Sequence, residues 1–227
     1  MKISMLLYPE LTLLDLVGPL QVWNHWPGAT IELVAATPEP VRSDSAATVL
    51  PTHTYETASR APDILFVPGA GNGSLAAMEH RNTLEYLRET SLRAQWLTSV
   101  CTGALVLGAA GLLKGYRATT HWAAVSALAH FGAIPEEARW VIDRNRATGG
   151  GVTAGIDFGL ALMATIAGEE AARAAQLTIE YAPAPPFSSG TPGRARSETL
   201  EQVTRLFEPY RQALSAFMQR ASGVDSR

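Results

Sequence analysis

Six brief, almost wholly apolar runs, at residues 3–7, 31–36, 64–67, 96–100, 139–142 and 146–148, are separated by longer stretches of helix formers. Runs of this kind suit strands covered on both faces, since a half-exposed strand alternates apolar with polar residues. Segments 13–26, 83–95, 102–112, 122–131 and 154–167 carry apolar residues at helical spacing. Together they predict an α/β chain with a doubly wound, mostly parallel sheet and helices on both faces. Residues 3–7 read as the first strand, because the apolar run there is too short for a leader and soon meets Glu10.

The 227 residues are 47% hydrophobic, enough to fill one core of ordinary α/β size. A formal net charge of -3 leaves no basic surplus for phosphate backbones, so no nucleic-acid partner is expected. The uncharged stretch 103–113 ends at Lys114, well short of the roughly 20 residues a membrane helix needs. One cysteine, Cys101, excludes an internal disulfide and a paired-cysteine zinc site, which fits a cytoplasmic setting. The histidines show no metal-ligand spacing, and no metal or other cofactor is implied. After Gly168 the texture changes to a helix at 169–179, an extended proline run at 181–187, a loop at 188–196 and an amphipathic helix at 197–220. The expected organisation is an α/β domain over 1–187, with 188–227 packing on it or on a dimer partner.

The chemistry concentrates at Ser99-Val100-Cys101-Thr102-Gly103-Ala104, where a strand is expected to end and a helix to begin. Small residues after the cysteine allow a tight strand-to-helix crossing, which makes a nucleophile elbow. A lone cysteine is by default a small buried hydrophobe. A thiol at the carboxyl end of a parallel strand is different, because unsatisfied N–H groups at the helix start favour the reactive thiolate.

Asp15, set among leucines just after the first strand, is either a helix N-terminal acid or a partly buried carboxyl whose raised pKa lets it share a proton with sulfur. Pro68-Gly69-Ala70-Gly71-Asn72-Gly73 is a glycine-rich loop whose amides can converge on an anion or simply turn the chain. It matches no dinucleotide fingerprint or P-loop. His121 is a candidate base or a structural residue, with Thr120 expected to cap the helix after it. The run Thr148-Gly149-Gly150-Gly151-Val152-Thr153 lines the pocket floor or permits close packing.

Val67-Pro68-Gly69, the Cys101 elbow and Ala118-Thr119-Thr120-His121-Trp122 together resemble the ThiJ/PfpI superfamily, relatives of the class I glutamine amidotransferases, over roughly residues 2–167. The stretches 99–113, 149–158 and 181–187 are similar more specifically to the isocyanide hydratase group. The resemblance implies a flavodoxin-like homodimer with Cys101 as nucleophile and Asp15 as its acid. It further implies an isocyanide and water as substrates, with Thr102, Gly69, Ala70, Gly150 and Val152 around them and His121 as a possible auxiliary. Thr102, where some branches carry a histidine, argues against an adjacent Cys-His dyad. The same motifs also resemble the sensor domain of AraC-type regulators, which needs on the order of 100 further residues for its DNA-binding pair. A glyoxalase-like activity on α-oxoaldehydes is the third reading.

Overall fold

The computed structural model describes residues 1–224, so the last three residues of the expected 188–227 segment lie outside it. The chain runs β1 (Lys2–Leu6), α1 (Leu13–Trp23), β2 (Thr30–Ala35), β3 (Val41–Arg42), β4 (Thr48–Val49), β5 (His53–Thr54) and β6 (Ile64–Val67). It continues α2 (Asn72–Glu79), α3 (Arg81–Ser91), β7 (Trp96–Val100), α4 (Gly103–Ala109) and β8 (Arg117–Ala118). A 3-10 helix (Trp122–Phe131) leads to β9 (Ile134–Pro135), β10 (Trp140–Asp143), β11 (Arg146–Gly149), α5 (Ala154–Ala167) and α6 (Glu169–Thr178). A short 3-10 turn (Pro192–Arg194) and α7 (Ser197–Val224) follow. Met1–Ile179 forms one compact unit and Glu180 onward a second, so the boundary expected at 187–188 falls inside the second unit.

Seven strands form one sheet in the order β10-β11-β7-β6-β1-β2-β5. Every neighbouring pair is parallel except β10 with β11. The chain steps outward from β1 to β2 on one side and to β6 and β7 on the other. The β1–β6 junction is therefore the switch point of a doubly wound sheet, outside whose carboxyl ends ligands bind. β1, β6 and β7 are nearly all buried, as strands covered on both faces should be.

Helix α1 packs on α5 by means of small residues. A Cβ at Gly155 would stand 3.0 Å from Pro19 Cδ, and one at Gly159 3.4 Å from Val22 Cβ. Beneath them Trp23 donates from Nε1 to the Gly159 carbonyl at 3.1 Å and meets Phe66 edge to face. This close crossing packs the second half of α1 against the first half of α5.

Three local expectations change. The segment 122–131 is a 3-10 helix rather than an α-helix, capped not by Thr120 but by His121, whose Nδ1 accepts from Ala123 N–H at 3.3 Å. The Thr120 hydroxyl is drawn instead to the Cys101 carbonyl. The glycine-rich loop is only half a loop, since Asn72 already opens α2.

Candidate active site

Four strand ends converge. Asp15 follows β1, Gly69 follows β6, Cys101 follows β7 and Val152 follows β11. Cys101 adopts φ +54°, the left-handed region that a side chain other than glycine rarely takes. Both of its peptide groups are held there. Its N–H donates to the carbonyls of Gly150 at 2.7 Å and Gly149 at 3.1 Å, while the Thr120 hydroxyl donates to its carbonyl at 2.5 Å. Gly103 makes the elbow tight enough, because a Cβ there would collide with the Val67 carbonyl and stand 2.6 Å from the Pro68 carbonyl.

Sulfur accepts from the backbone N–H groups of Thr102 and Val152 and is hydrogen-bonded to Asp15. Contrary to the thiolate expectation, the net effect raises the thiol pKa. Burial pushes it up first and the Asp15 charge pushes it further, and the two N–H groups offset only part. The thiol is 5% exposed.

Asp15 lies fully buried in the first turn of α1. Its Oδ2 accepts from Gly69 N–H at 3.1 Å, while Oδ1 is buried with no hydrogen-bond partner among the described residues. Burial raises its carboxyl from an ordinary 3.8 to about 7, more than the Cys101 and Gly69 hydrogen bonds lower it, and the nearby Asp44 charge adds to the rise. Two raised, touching groups titrate as a unit. Near neutral pH the pair is arranged to exchange one proton.

The glycine loop supports this pair through its backbone. Gly69 N–H is engaged by Asp15, and Ala70 N–H donates to Thr102 Oγ1 at 3.0 Å. Neither amide is therefore free for a ligand's charge. A Cβ on Gly69 would sit 2.6 Å from Asp15 Oδ2, 2.7 Å from Cys101 Cβ and 2.8 Å from Thr102 N, so only glycine fits where these three meet. Gly150 acts through its carbonyl on Cys101 and Val152 through its amide on sulfur. His121 packs over Gly151, where a Cβ would lie 2.7 Å from its Cδ2, and burial lowers its pKa, keeping the ring neutral. Its Nδ1 serves the helix cap.

Two supporting groups were not anticipated. Thr120 reaches the Cys101 carbonyl, and the Tyr8 hydroxyl donates to the Pro68 carbonyl at 2.5 Å, steadying the loop before Gly69. For Tyr8, its place just beyond the first strand was the available signal, because ligand-side residues follow strand carboxyl ends.

Residues 1–165 match the DJ-1/PfpI family. The chain is 44% identical over 98% of its length to an "Isonitrile hydratase" of Pseudomonas putida, covering 96% of that protein. It superposes on a ThiJ/PfpI family protein from Pseudomonas syringae with TM-score 0.94 and 46% identity, over 96% of this chain and 90% of the other. An "HTH-type transcriptional regulator GbdR" of Pseudomonas aeruginosa is 28% identical over 74% of this chain but only 47% of its own length.

Proposed function

Since the chain belongs to the DJ-1/PfpI family, we propose that it is an isocyanide hydratase, converting R–N≡C and water into the formamide R–NH–CHO. The observation that carries the reading is the buried Asp15 carboxyl, its pKa near 7, touching the Cys101 thiol on a near full-length relative of an isonitrile hydratase. The terminal carbon of an isocyanide takes a soft nucleophile and a proton together, which one thiol and one acid can supply.

In the proposed sequence, Asp15 takes the thiol proton as Cys101 sulfur bonds to the terminal carbon. The same proton then passes to that carbon, giving the thioimidate R–N=CH–S. Water adds to the carbon with one of its protons going to Asp15 and on to nitrogen. Collapse of the adduct breaks the C–S bond, releases the formamide and returns the last proton to sulfur. Val152 and Thr102 N–H groups steady the sulfur whenever it carries charge. Gly69 orients Asp15.

The test follows formamide formation from cyclohexyl isocyanide, with Cys101→Ala alongside. Rapid product from the unaltered chain and a loss of at least about 10⁴-fold in the variant are expected for a covalent nucleophile. No product at high protein concentration would remove the hydratase reading and favour a sensor role like that of the regulators; product from the alanine variant would remove Cys101 as nucleophile. A cytoplasmic homodimer completes the reading, and sedimentation at twice the 24.2 kDa chain mass checks the assembly.

A further inference from the structure

The peptide between Cys101 and Thr102 is trans, so its carbonyl and its N–H point in opposite directions from one rigid plane. Both ends of that plane are engaged. The carbonyl accepts from the Thr120 hydroxyl at 2.5 Å, and the N–H donates to the Cys101 sulfur. A turn about the Cys101 Cα–C bond that swings the carbonyl away from Thr120 therefore also swings the N–H away from sulfur. Such a turn has a driving force, because Cys101 at φ +54° is a strained backbone that relaxes unless its surroundings hold it.

Thr120 is placed to resist that turn. It is buried, and its neighbour Thr119 ties the segment down twice: the Thr119 N–H donates to Thr148 Oγ1 at 2.9 Å and its hydroxyl donates to the Ala138 carbonyl at 3.1 Å. Thr148 stands on β11 opposite Ser99 of β7, two residues before the nucleophile. The Thr120 hydroxyl is thus anchored to the same pair of strands that carries the elbow. The other donor to the Cys101 carbonyl, Ala104 N–H, is farther away at 3.3 Å and belongs to α4, the helix that the elbow itself opens.

We propose that Thr120 is a positioning residue for the nucleophile: by holding the Cys101 carbonyl, its hydroxyl keeps the Thr102 N–H aimed at sulfur when the thiolate forms. Donation to the carbonyl also polarises the shared peptide and strengthens its N–H as a donor. That N–H is the one worth aiming. Burial first and then the Asp15 charge oppose ionisation of the thiol, and Thr102 N–H leads the groups that favour it, ahead of Val152 N–H. For turnover the inference rests on the hydratase reading; for thiol reactivity it rests on the elbow alone.

Thr120→Val keeps the side-chain shape and removes the donor, while Ala104 N–H leaves the carbonyl with a partner. The probe is methyl methanethiosulfonate, a small uncharged reagent attacked by thiolate, and in a chain with one cysteine the mass gained reports Cys101 alone. At pH 8 the valine variant should be modified at least about threefold more slowly than the unaltered chain, part of the worth of a hydrogen bond to a charged acceptor. Thr120→Ser, which keeps the hydroxyl, should recover the rate to within about twofold. A merely structural threonine predicts the opposite sign, because loosened packing exposes the thiol and speeds its modification. Equal or faster modification of a folded Thr120→Val chain would overturn the proposal, as would a serine variant as slow as the valine one. With cyclohexyl isocyanide, kcat should fall at least about threefold in Thr120→Val with KM unchanged, since the hydroxyl acts through sulfur. An equal kcat would overturn the role in turnover. Should Thr120→Val fail to fold, which circular dichroism checks, Thr120→Ala removes the same donor and is read in the same way. A chain that turns over no isocyanide sinks the hydratase reading alone, because the thiol reagent needs no turnover.

Discussion

Two carboxylates are buried in the sheet region, Asp15 fully and Glu32 to 5% exposure, yet their acidities move in opposite directions. Burial pushes both up. Around Glu32, in the middle of β2, Ser59 N–H and the Ser4 hydroxyl each donate to Oε2 at 3.0 Å, and Lys2 Nζ stands 3.4 Å from Oε1. These partners more than reverse the desolvation, and the carboxyl ends below its ordinary value. Around Asp15 the partners are one backbone N–H and a thiol, and the nearest named charge, Asp44, has the same sign. Burial therefore wins. The balance between desolvation and the donors around a carboxylate decides between a structural ion and a proton store.

The comparison breaks first at Asp15→Asn. Loss of the proton acceptor should cost about 10²–10⁴ in formamide formation. The same variant should be about 1–3 kcal/mol more stable at pH 8, because it removes a poorly solvated charge. The sign follows from linkage: a raised carboxyl pKa favours the folded state at low pH, and this contribution, on the order of 4 kcal/mol, is lost as pH climbs from 3.8 through about 7. Denaturant melts at pH 4 and pH 8 check it, and an asparagine variant destabilised at both would show that Asp15 is a structural ion after all. Turnover should show the complementary profile, with kcat/KM rising through an apparent pKa near 7 as the pair sheds its first proton. That limb should be absent in Asp15→Asn.

Gly69→Ala sharpens the same side of the comparison. Its new methyl would meet Asp15, Cys101 and Thr102 within 2.8 Å, so the acid and the thiol must separate. Turnover should fall at least tenfold, with a stability loss of about 1–3 kcal/mol, read by steady-state assay and thermal melting. Unchanged turnover would show that their contact is dispensable.

Glu32→Gln tests the other carboxylate. Losing a charged acceptor that holds three donors should destabilise by about 1–3 kcal/mol at pH 7, with turnover unaltered. A depressed pKa contributes stability above the ordinary 4.5 and loses it as pH falls, so the variant and parent should converge in acid. Lys2→Ala, removing a partner that is 45% exposed, should cost no more than about 1 kcal/mol in the same melts.

Much of the scaffold was legible because its cause is local. Strands β6 and β7 coincide with the apolar runs 64–67 and 96–100, and α5 with the periodic segment 154–167, since burial on both faces or on one stripe leaves its mark in the residue order. Cys101 was legible as an elbow because small residues must follow it. The partners of that elbow were less so. Local sequence favours Thr120 over His121 as the cap, and the choice between them depends on where the Cys101 carbonyl lies, 19 residues away in sequence. The weak strands β3, β4, β5, β8 and β9 are two residues long and carry no period to detect.

The residue order alone determined an alternating α/β chain, one thiol at a strand-to-helix turn, and one acid among leucines after the first strand. Tertiary structure decided what those two groups are to each other. The strand order, with β6 between β1 and β7, gathers Asp15, Gly69 and Cys101 at neighbouring strand ends, the loop amides of Gly69 and Ala70 are taken up by Asp15 and Thr102, and a net rise rather than a fall in the thiol pKa results from adding desolvation to a neighbouring charge. Acidity is set by surroundings assembled from distant segments, and no single stretch of sequence contains them.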